Sequence, residues 1–173
     1  MSNCRPKRTD PWEAFPRRRQ LFVPPAQAPI ISTVRDLTPR DAEALAALYR
    51  DYEWWDDRTV EDVRRALAET AVAVGVETDG ELVAATRVLT DYIYYAKVYD
   101  VIVAADSRGE GHGERLLEAV VDHPDLRSVD GLALNCRAGL VGFYESVGFE
   151  RFDPEMKVPE GGTEKLVRMT CDR

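Results

Sequence analysis

The chain has 173 residues, 45% hydrophobic and 31% charged, with a net charge of −8. That length suits one domain with a real core, and no apolar run approaches the ~20 residues that span a bilayer. The acidic balance argues against a nucleic-acid binder of the ordinary basic kind, and the N-terminus has no apolar segment of secretory type, so a cytoplasmic protein away from membranes is expected.

Residues 1–29 hold six prolines and six basic residues against two acidic ones, a balance of +4 that leaves −12 for the remainder. They show no sustained period and read as a disordered, basic tail ahead of a domain at 30–173. Ile30 to Leu37 reads as a first strand. Thr38-Pro39 supplies an N-cap and a proline for a helix that turns Ala42, Leu45, Ala46, Leu48 and Tyr49 to one side. Residues 51–58 interrupt that pattern, and Thr59 caps a second helix with Val60, Val63 and Leu67 inward. Ala71 to Glu77 and Leu82 to Leu89 form a hairpin about Thr78-Asp79-Gly80-Glu81.

Val98 to Ala104 is β-branched and nearly all apolar, as in a strand covered on both faces. Glycines follow at alternate positions, Gly109, Gly111 and Gly113, and then Leu116, Leu117, Val120 and Val121 fall at helical spacing. His123-Pro124-Asp125 ends that helix. A strand at Leu132 to Cys136, a helix at Ala138 to Val147 with Gly148 as its C-cap, a strand opened by Phe149, a turn at Gly161-Gly162 and a last strand at Lys165 to Cys171 complete the chain. The order β-α-α-β-β-β-α-β-α-β-β predicts an α/β (α+β) domain, one mixed sheet with helices on both faces.

A strand, a glycine-rich turn and a helix N-terminus together offer unpaired N–H groups and the positive end of a helix dipole, which suits a phosphate-bearing ligand. A dinucleotide turn would need a third glycine at Glu114, and a P-loop would need Lys-Ser or Lys-Thr where Glu114-Arg115 stands. Cys4, Cys136 and Cys171 are odd in number and widely spaced, and His112 and His123 lack companions at ligand spacing, so neither a disulfide framework nor a metal site is expected. His112 reads as part of the turn, His123 as a helix-end cap favoured by its charge.

The pattern that fits is Arg-x-x-Gly-x-Gly, filled by Arg108, Gly111 and Gly113. It resembles the acetyl-CoA-binding motif of the GNAT N-acetyltransferase superfamily. Phe143-Tyr144-Glu145-Ser146-Val147-Gly148-Phe149 resembles a second motif of that family, and Trp55 with Arg58, Thr90-Asp91 and Tyr99-Asp100-Val101 look like its small stand-alone amine acetyltransferases. One departure is Arg137, where many members place Asn seven residues before the tyrosine.

The resemblance implies a mixed, mostly antiparallel sheet flanked by helices and acetyl-CoA as co-substrate. The pantetheine would run along Val101, Ile102 and Val103, and the pyrophosphate would rest on Arg108, Gly109, Glu110, Gly111, His112 and Gly113. Tyr144 would hydrogen-bond the leaving thiolate. Asp100, the carboxylate nearest the reaction centre, either takes the amine proton or is paired with a partner such as Arg87. Aromatics beside carboxylates, Trp55 and Asp57 in one loop and Asp91 and Tyr92 in another, suit a cationic amine; Tyr92, Tyr94 and Tyr95 guide water or line the sheet edge. The acceptor is a small-molecule or protein amine, and a homodimer is left open. Competing functions are a non-catalytic CoA-binding module with this fold and a transferase of longer acyl groups.

Overall fold

A computed structural model of the chain describes residues 32–152 and 154–171. The predicted tail over 1–29 and the start of the predicted first strand lie outside the described residues. Strands β1 (Ser32–Asp36), β2 (Val72–Thr78), β3 (Glu81–Thr90), β4 (Ala96–Val103) and β5 (Leu132–Ala133) form one sheet in that order. The first three pairings are antiparallel, and β4 with β5 is parallel.

Local chemistry sets the element ends. The Thr38 hydroxyl accepts the Arg40 N–H while the Asp41 carboxylate accepts the Thr38 N–H at 2.7 Å. This reciprocal cap starts a short 3-10 turn that leads into α1 (Ala42–Arg50). The Thr59 hydroxyl accepts the Asp62 N–H at 3.1 Å and starts α2 (Val60–Ala68). Asp79 (φ 53°) and Gly80 (φ 87°) are both left-handed, the geometry that closes a two-residue hairpin between β2 and β3.

Alternation along the strands divides the interior in two. Val72, Val74 and Val76 of β2, Ala84 and Val88 of β3 and Val98 of β4 pack with Leu116, Leu117 and Val120 of α3 (His112–Val121) and Tyr144 of α4 (Val141–Ser146). Ala73, Ala85 and Ile102 face the other way, onto Leu45, Leu48 and Tyr49 of α1 and Val63 and Leu67 of α2. The three central strands, β2, β3 and β4, are thus apolar on both faces, which explains their near-continuous hydrophobic runs in the sequence.

The second half departs from expectation. Only Leu132 and Ala133 pair with β4, where a strand to Cys136 is predicted. α4 starts at Val141 after a 3-10 turn over Ala138–Leu140. Phe149 opens no strand, and β7 is Thr163–Lys165 rather than Lys165 to Cys171. Gly161 and Gly162 (φ 92° and 101°) turn the chain so tightly that β6 (Glu155–Lys157) and β7 pair with each other, as a two-stranded sheet separate from the main one.

Candidate active site

The site is assembled around the C-terminal half of β4. Ala85 pairs with Ile102 and Arg87 with Tyr99, so Thr86 alone stands opposite both Asp100 and Val101: a bulge. Asp100 takes φ 55°, a region that Asp tolerates better than most residues. The fully buried Thr86 donates its hydroxyl to the Tyr99 carbonyl at 2.8 Å and fixes the irregular step. Because β5 pairs only with Ala96 and Lys97, the β4 edge beyond them has no strand partner on that side among the described residues. Val101, Ile102 and Val103 therefore present backbone at an open edge, with Val101 and Val103 packed on the α3 side and Ile102 on the α1 side.

β4 leads through a 3-10 turn (Ala105–Ser107) into Arg108-Gly109-Glu110-Gly111 and then α3. Gly111 is the N-cap, at φ 83°, and no side chain among the described residues caps the helix; the first N–H groups of α3 stay available to an anion. A Cβ on Gly111 would meet nothing within 4 Å, so the turn is open on its outer side. At Gly113 the missing side chain also makes room for packing, since a Cβ there would lie 3.0 Å from the Phe143 ring. Arg108 folds back from the turn. It donates to the Tyr52 hydroxyl at 2.7 Å, its guanidinium lies 5.2 Å from the centre of that ring, and Tyr52 in turn donates to the Val103 carbonyl.

His112 is the first residue of α3 rather than part of the loop, and it is buried. Its Nε2 lies 3.2 Å from the Glu110 carboxylate, while Nδ1 has no partner among the described residues. His123 caps the short helical turn that follows it, accepting the Asp125 N–H on Nδ1 with Nε2 3.3 Å from Asp36.

Tyr144 is 8% exposed, edge-on to Phe143 and Phe149 with centroids 5.1 and 6.0 Å away. The helix end positions it: Phe149 N–H bonds the Tyr144 carbonyl, Gly148 N–H bonds that of Glu145, and Phe149 packs back on the tyrosine. Its hydroxyl makes no hydrogen bond to another described residue. Burial, with the Cys136 thiol adding to it and Arg137 opposing, pushes the Tyr144 pKa up to about 12.

Asp100 faces the opposite side of β4 from Tyr144 and is paired. Arg87 donates Nε and Nη2 to its Oδ2 at 2.9 and 2.6 Å, the Tyr49 hydroxyl donates to the same oxygen at 3.0 Å, and Arg58 reaches both oxygens at 3.0 and 3.2 Å. Burial alone would raise this carboxyl; the hydrogen bonds and charges of Arg58 and Arg87 win and hold it below the usual aspartate range. The Tyr49 hydroxyl is pushed up, by burial first and then by the aspartate charge.

The residues expected to form a cationic-amine pocket do not converge. The loop of Trp54, Trp55 and Asp57 belongs to the Val103 end of β4, through Tyr52. Asp91 and Tyr92 precede Ala96, at the other end of a strand about 25 Å long. Asp91 spends its Oδ1 on the N–H groups of Ile93, Tyr94 and Tyr95, and the Tyr92 hydroxyl donates to the Ala71 carbonyl. The aromatic faces are also taken: Arg58 lies over Tyr49 and Trp55, Arg108 over Tyr52 and Arg137 over Trp54. Asp57 is exposed and makes no such contact.

Tyr49, Tyr52 and Arg58 are site residues that sequence reasoning did not assign. Tyr49 falls on the inward stripe of α1 and reads as core; only its contact 51 residues away shows what its hydroxyl does. Among the described residues, no group of three or more His, Cys, Asp or Glu is placed to hold a metal ion, and no helix is long and apolar enough to cross a membrane.

The profile of the Acetyltransferase (GNAT) domain family matches residues 36–170. Glucosamine 6-phosphate N-acetyltransferase 1 of Oryza sativa is 32% identical over 111 residues, 56% of this chain and 67% of that one. Serotonin N-acetyltransferase 2, chloroplastic, of the same plant is 32% identical over 102 residues, and the match spans only half of its length. Among solved structures, a GNAT-family protein of Xanthomonas campestris aligns at 30% identity with a TM-score of 0.58, covering 69% of this chain and 85% of that one. Glucosamine-6-phosphate N-acetyltransferase of Arabidopsis thaliana shares the fold, with a TM-score of 0.62 at 20% identity over 74% and 97% of the two chains. The profile covers most of the domain just described, including the open β4 edge, the glycine turn and Tyr144: the chain belongs to the GNAT acetyltransferase family.

Proposed function

We propose that the protein transfers an acetyl group from acetyl-CoA to a primary amine. What supports this is three features together: uncapped N–H groups at the start of α3, the open edge of β4, the strand that leads to that turn, and on the α3 side of the sheet the Tyr144 hydroxyl, which has no partner among the described residues. These residues fit the co-substrate, since the turn is open on its outer side and the edge lacks a strand partner. Acetyl-CoA supplies the activated thioester. The α3 N-terminus from Gly111 to Gly113 holds its phosphates, and backbone groups of Val101 to Val103 pair with its extended arm and polarise the carbonyl.

Tyr144 assists the departing thiolate by hydrogen bonding without giving up its proton. A thiol titrates near 8.5, so full transfer from a phenol at about 12 would be uphill by about 5 kcal/mol. Asp100 acts differently from a base. Its lone pairs are taken by two guanidinium groups and a phenol, and a depressed pKa makes it a weaker proton acceptor. It holds the bulge in register, and the amine proton leaves through water.

The test is thiol release from acetyl-CoA against an amine panel, with acetylated products read by mass spectrometry. Amine-dependent release supports the assignment. Acetyl-CoA binding with no release for any amine would make the protein a non-catalytic CoA-binding module.

A further inference from the structure

The last residue of the open β4 edge already has a partner, and it is a side chain. Ala104 N–H bonds the Val83 carbonyl at 2.8 Å, and Val103 stands opposite Ala84. Successive residues of an antiparallel pair alternate in the side to which they turn their polar groups, so Val103 directs its own N–H and carbonyl away from β3, to the open side. The Tyr52 hydroxyl donates to that carbonyl at 3.1 Å, and Arg108 Nε reaches it at 3.4 Å. A carbonyl oxygen has two lone pairs, and here both have donors. Arg108 Nη2 also donates to the Tyr52 hydroxyl at 2.7 Å, which polarises the phenol O–H toward Val103.

Tyr52 lies in the loop between α1 and α2, and the two parts of that loop are held unequally. Trp55 is half-buried, edge-on to Tyr49 at 5.3 Å and covered by the Arg58 guanidinium at 5.0 Å, which is itself paired with Asp100. Trp54 is 56% exposed. It touches the rings of Tyr52 and Trp55 and lies under the exposed Arg137, 5.7 Å from its centre. Exposed contacts between a cation and a ring are weak. Withdrawal of the Tyr52 hydroxyl from Val103 therefore breaks one hydrogen bond and leaves the Trp55 anchor in place.

We propose that Tyr52 competes with the co-substrate for the β4 edge. Its hydroxyl closes the Val103 carbonyl in the free protein, and an amide N–H of the acetyl-CoA arm takes its place on binding, which releases Tyr52 and the Trp54 part of the loop. The inference rests on the reading of acetyl-CoA as co-substrate and adds a residue that sets its affinity.

Calorimetry on the full chain compares the wild type with Tyr52→Phe, which keeps the ring and removes the hydroxyl. Loss of the competing bond should tighten acetyl-CoA binding by roughly three- to tenfold, the span of one net hydrogen bond. Adenosine 3′,5′-bisphosphate has the phosphates and lacks the arm, so its affinity for the two proteins should agree within about twofold, because it engages only the helix N-terminus. The loop has a readout of its own. In a Trp12→Phe background the remaining tryptophans, Trp54 and Trp55, both belong to it. Their emission should change with acetyl-CoA and not with the bisphosphate. Unchanged or weaker acetyl-CoA binding in Tyr52→Phe, equal tightening of both ligands, or emission indifferent to acetyl-CoA overturns the proposal. Absence of acetyl-CoA binding by either protein is a separate result: it overturns the co-substrate reading, and the inference falls with it.

Discussion

The two faces of β4 serve opposite purposes. Toward α3 and α4, Val98, Val101 and Val103 meet an interior of aliphatic and aromatic side chains, in which Tyr144 keeps one hydroxyl unengaged. Toward α1 and α2, Asp100 meets Arg58, Arg87 and Tyr49, and its carboxylate is fully engaged. A polar group left without partners inside a folded chain is available to a ligand, whereas a saturated one holds structure. On the proposed reading, this difference in partners gives chemistry to one face and scaffolding to the other.

Substitutions on each face should separate these roles. The largest effect belongs to Gly111→Glu, which places a carboxylate at the α3 N-terminus and a side chain at φ 83°. Acetyl-CoA affinity measured by calorimetry should fall more than a hundredfold; binding at wild-type strength would put the phosphates elsewhere.

Asp100→Asn tests the scaffold face cleanly, because Asn also tolerates the left-handed backbone at φ 55°. Removing the charge leaves two guanidinium groups uncompensated, at a cost of about 3–5 kcal/mol in urea unfolding. The folded pKa of Asp100 lies below its unfolded value. Its contribution is therefore complete above an ordinary aspartate pKa of about 3.9 and is lost as pH falls toward the folded value. The acid limb of the stability profile should flatten in Asp100→Asn, and its rate–pH profile should keep the wild-type shape. A rate deficit that deepens as pH falls would restore Asp100 as the proton acceptor.

Smaller effects follow from packing and capping. Gly113→Ala brings a methyl to 3.0 Å from Phe143 and should cost about 1–3 kcal/mol by denaturation, with Tyr144 displaced through its neighbour. Thr59→Ala removes the α2 cap at about 1 kcal/mol. An unchanged midpoint in Thr59→Ala would show that α2 is held by packing of Val63 and Leu67 alone.

Legibility in the sequence followed the range of the interactions. The Thr38 and Thr59 caps, the Asp79-Gly80 turn and the Gly148 helix end are short-range, and residue type with spacing sufficed to read them. The local geometry of the glycine turn and of the helix end that carries Tyr144 follows from one compact motif each. The Asp100 cluster was only partly readable. Arg87 is a hairpin neighbour and a nameable partner, but Tyr49 and Arg58 arrive from 51 and 42 residues away; Arg58 is visible beside Trp55 in the sequence, and its pairing with Asp100 is not. The same gap underlies the expected cationic pocket: aromatics, acids and arginines are all visible in the chain, and the stacking of Arg58, Arg108 and Arg137 on those rings is not. β5 was overextended because Leu134 is partly buried like a strand residue, yet packs on the α3 core without pairing to β4.

The central claim is that the unengaged hydroxyl on the α3 and α4 face assists the leaving thiolate, and Tyr144→Phe in single-turnover acetyl transfer tests it most directly. The ring and its contacts with Phe143 and Phe149 remain, so acetyl-CoA affinity and stability should be nearly unchanged. The chemical step should slow by about 10²–10⁴-fold, roughly 3–5 kcal/mol of barrier, with the loss in kcat rather than in acetyl-CoA binding. A Tyr144→Phe protein that transfers acetyl at the wild-type single-turnover rate would contradict the assignment and leave the hydroxyl no part in the reaction.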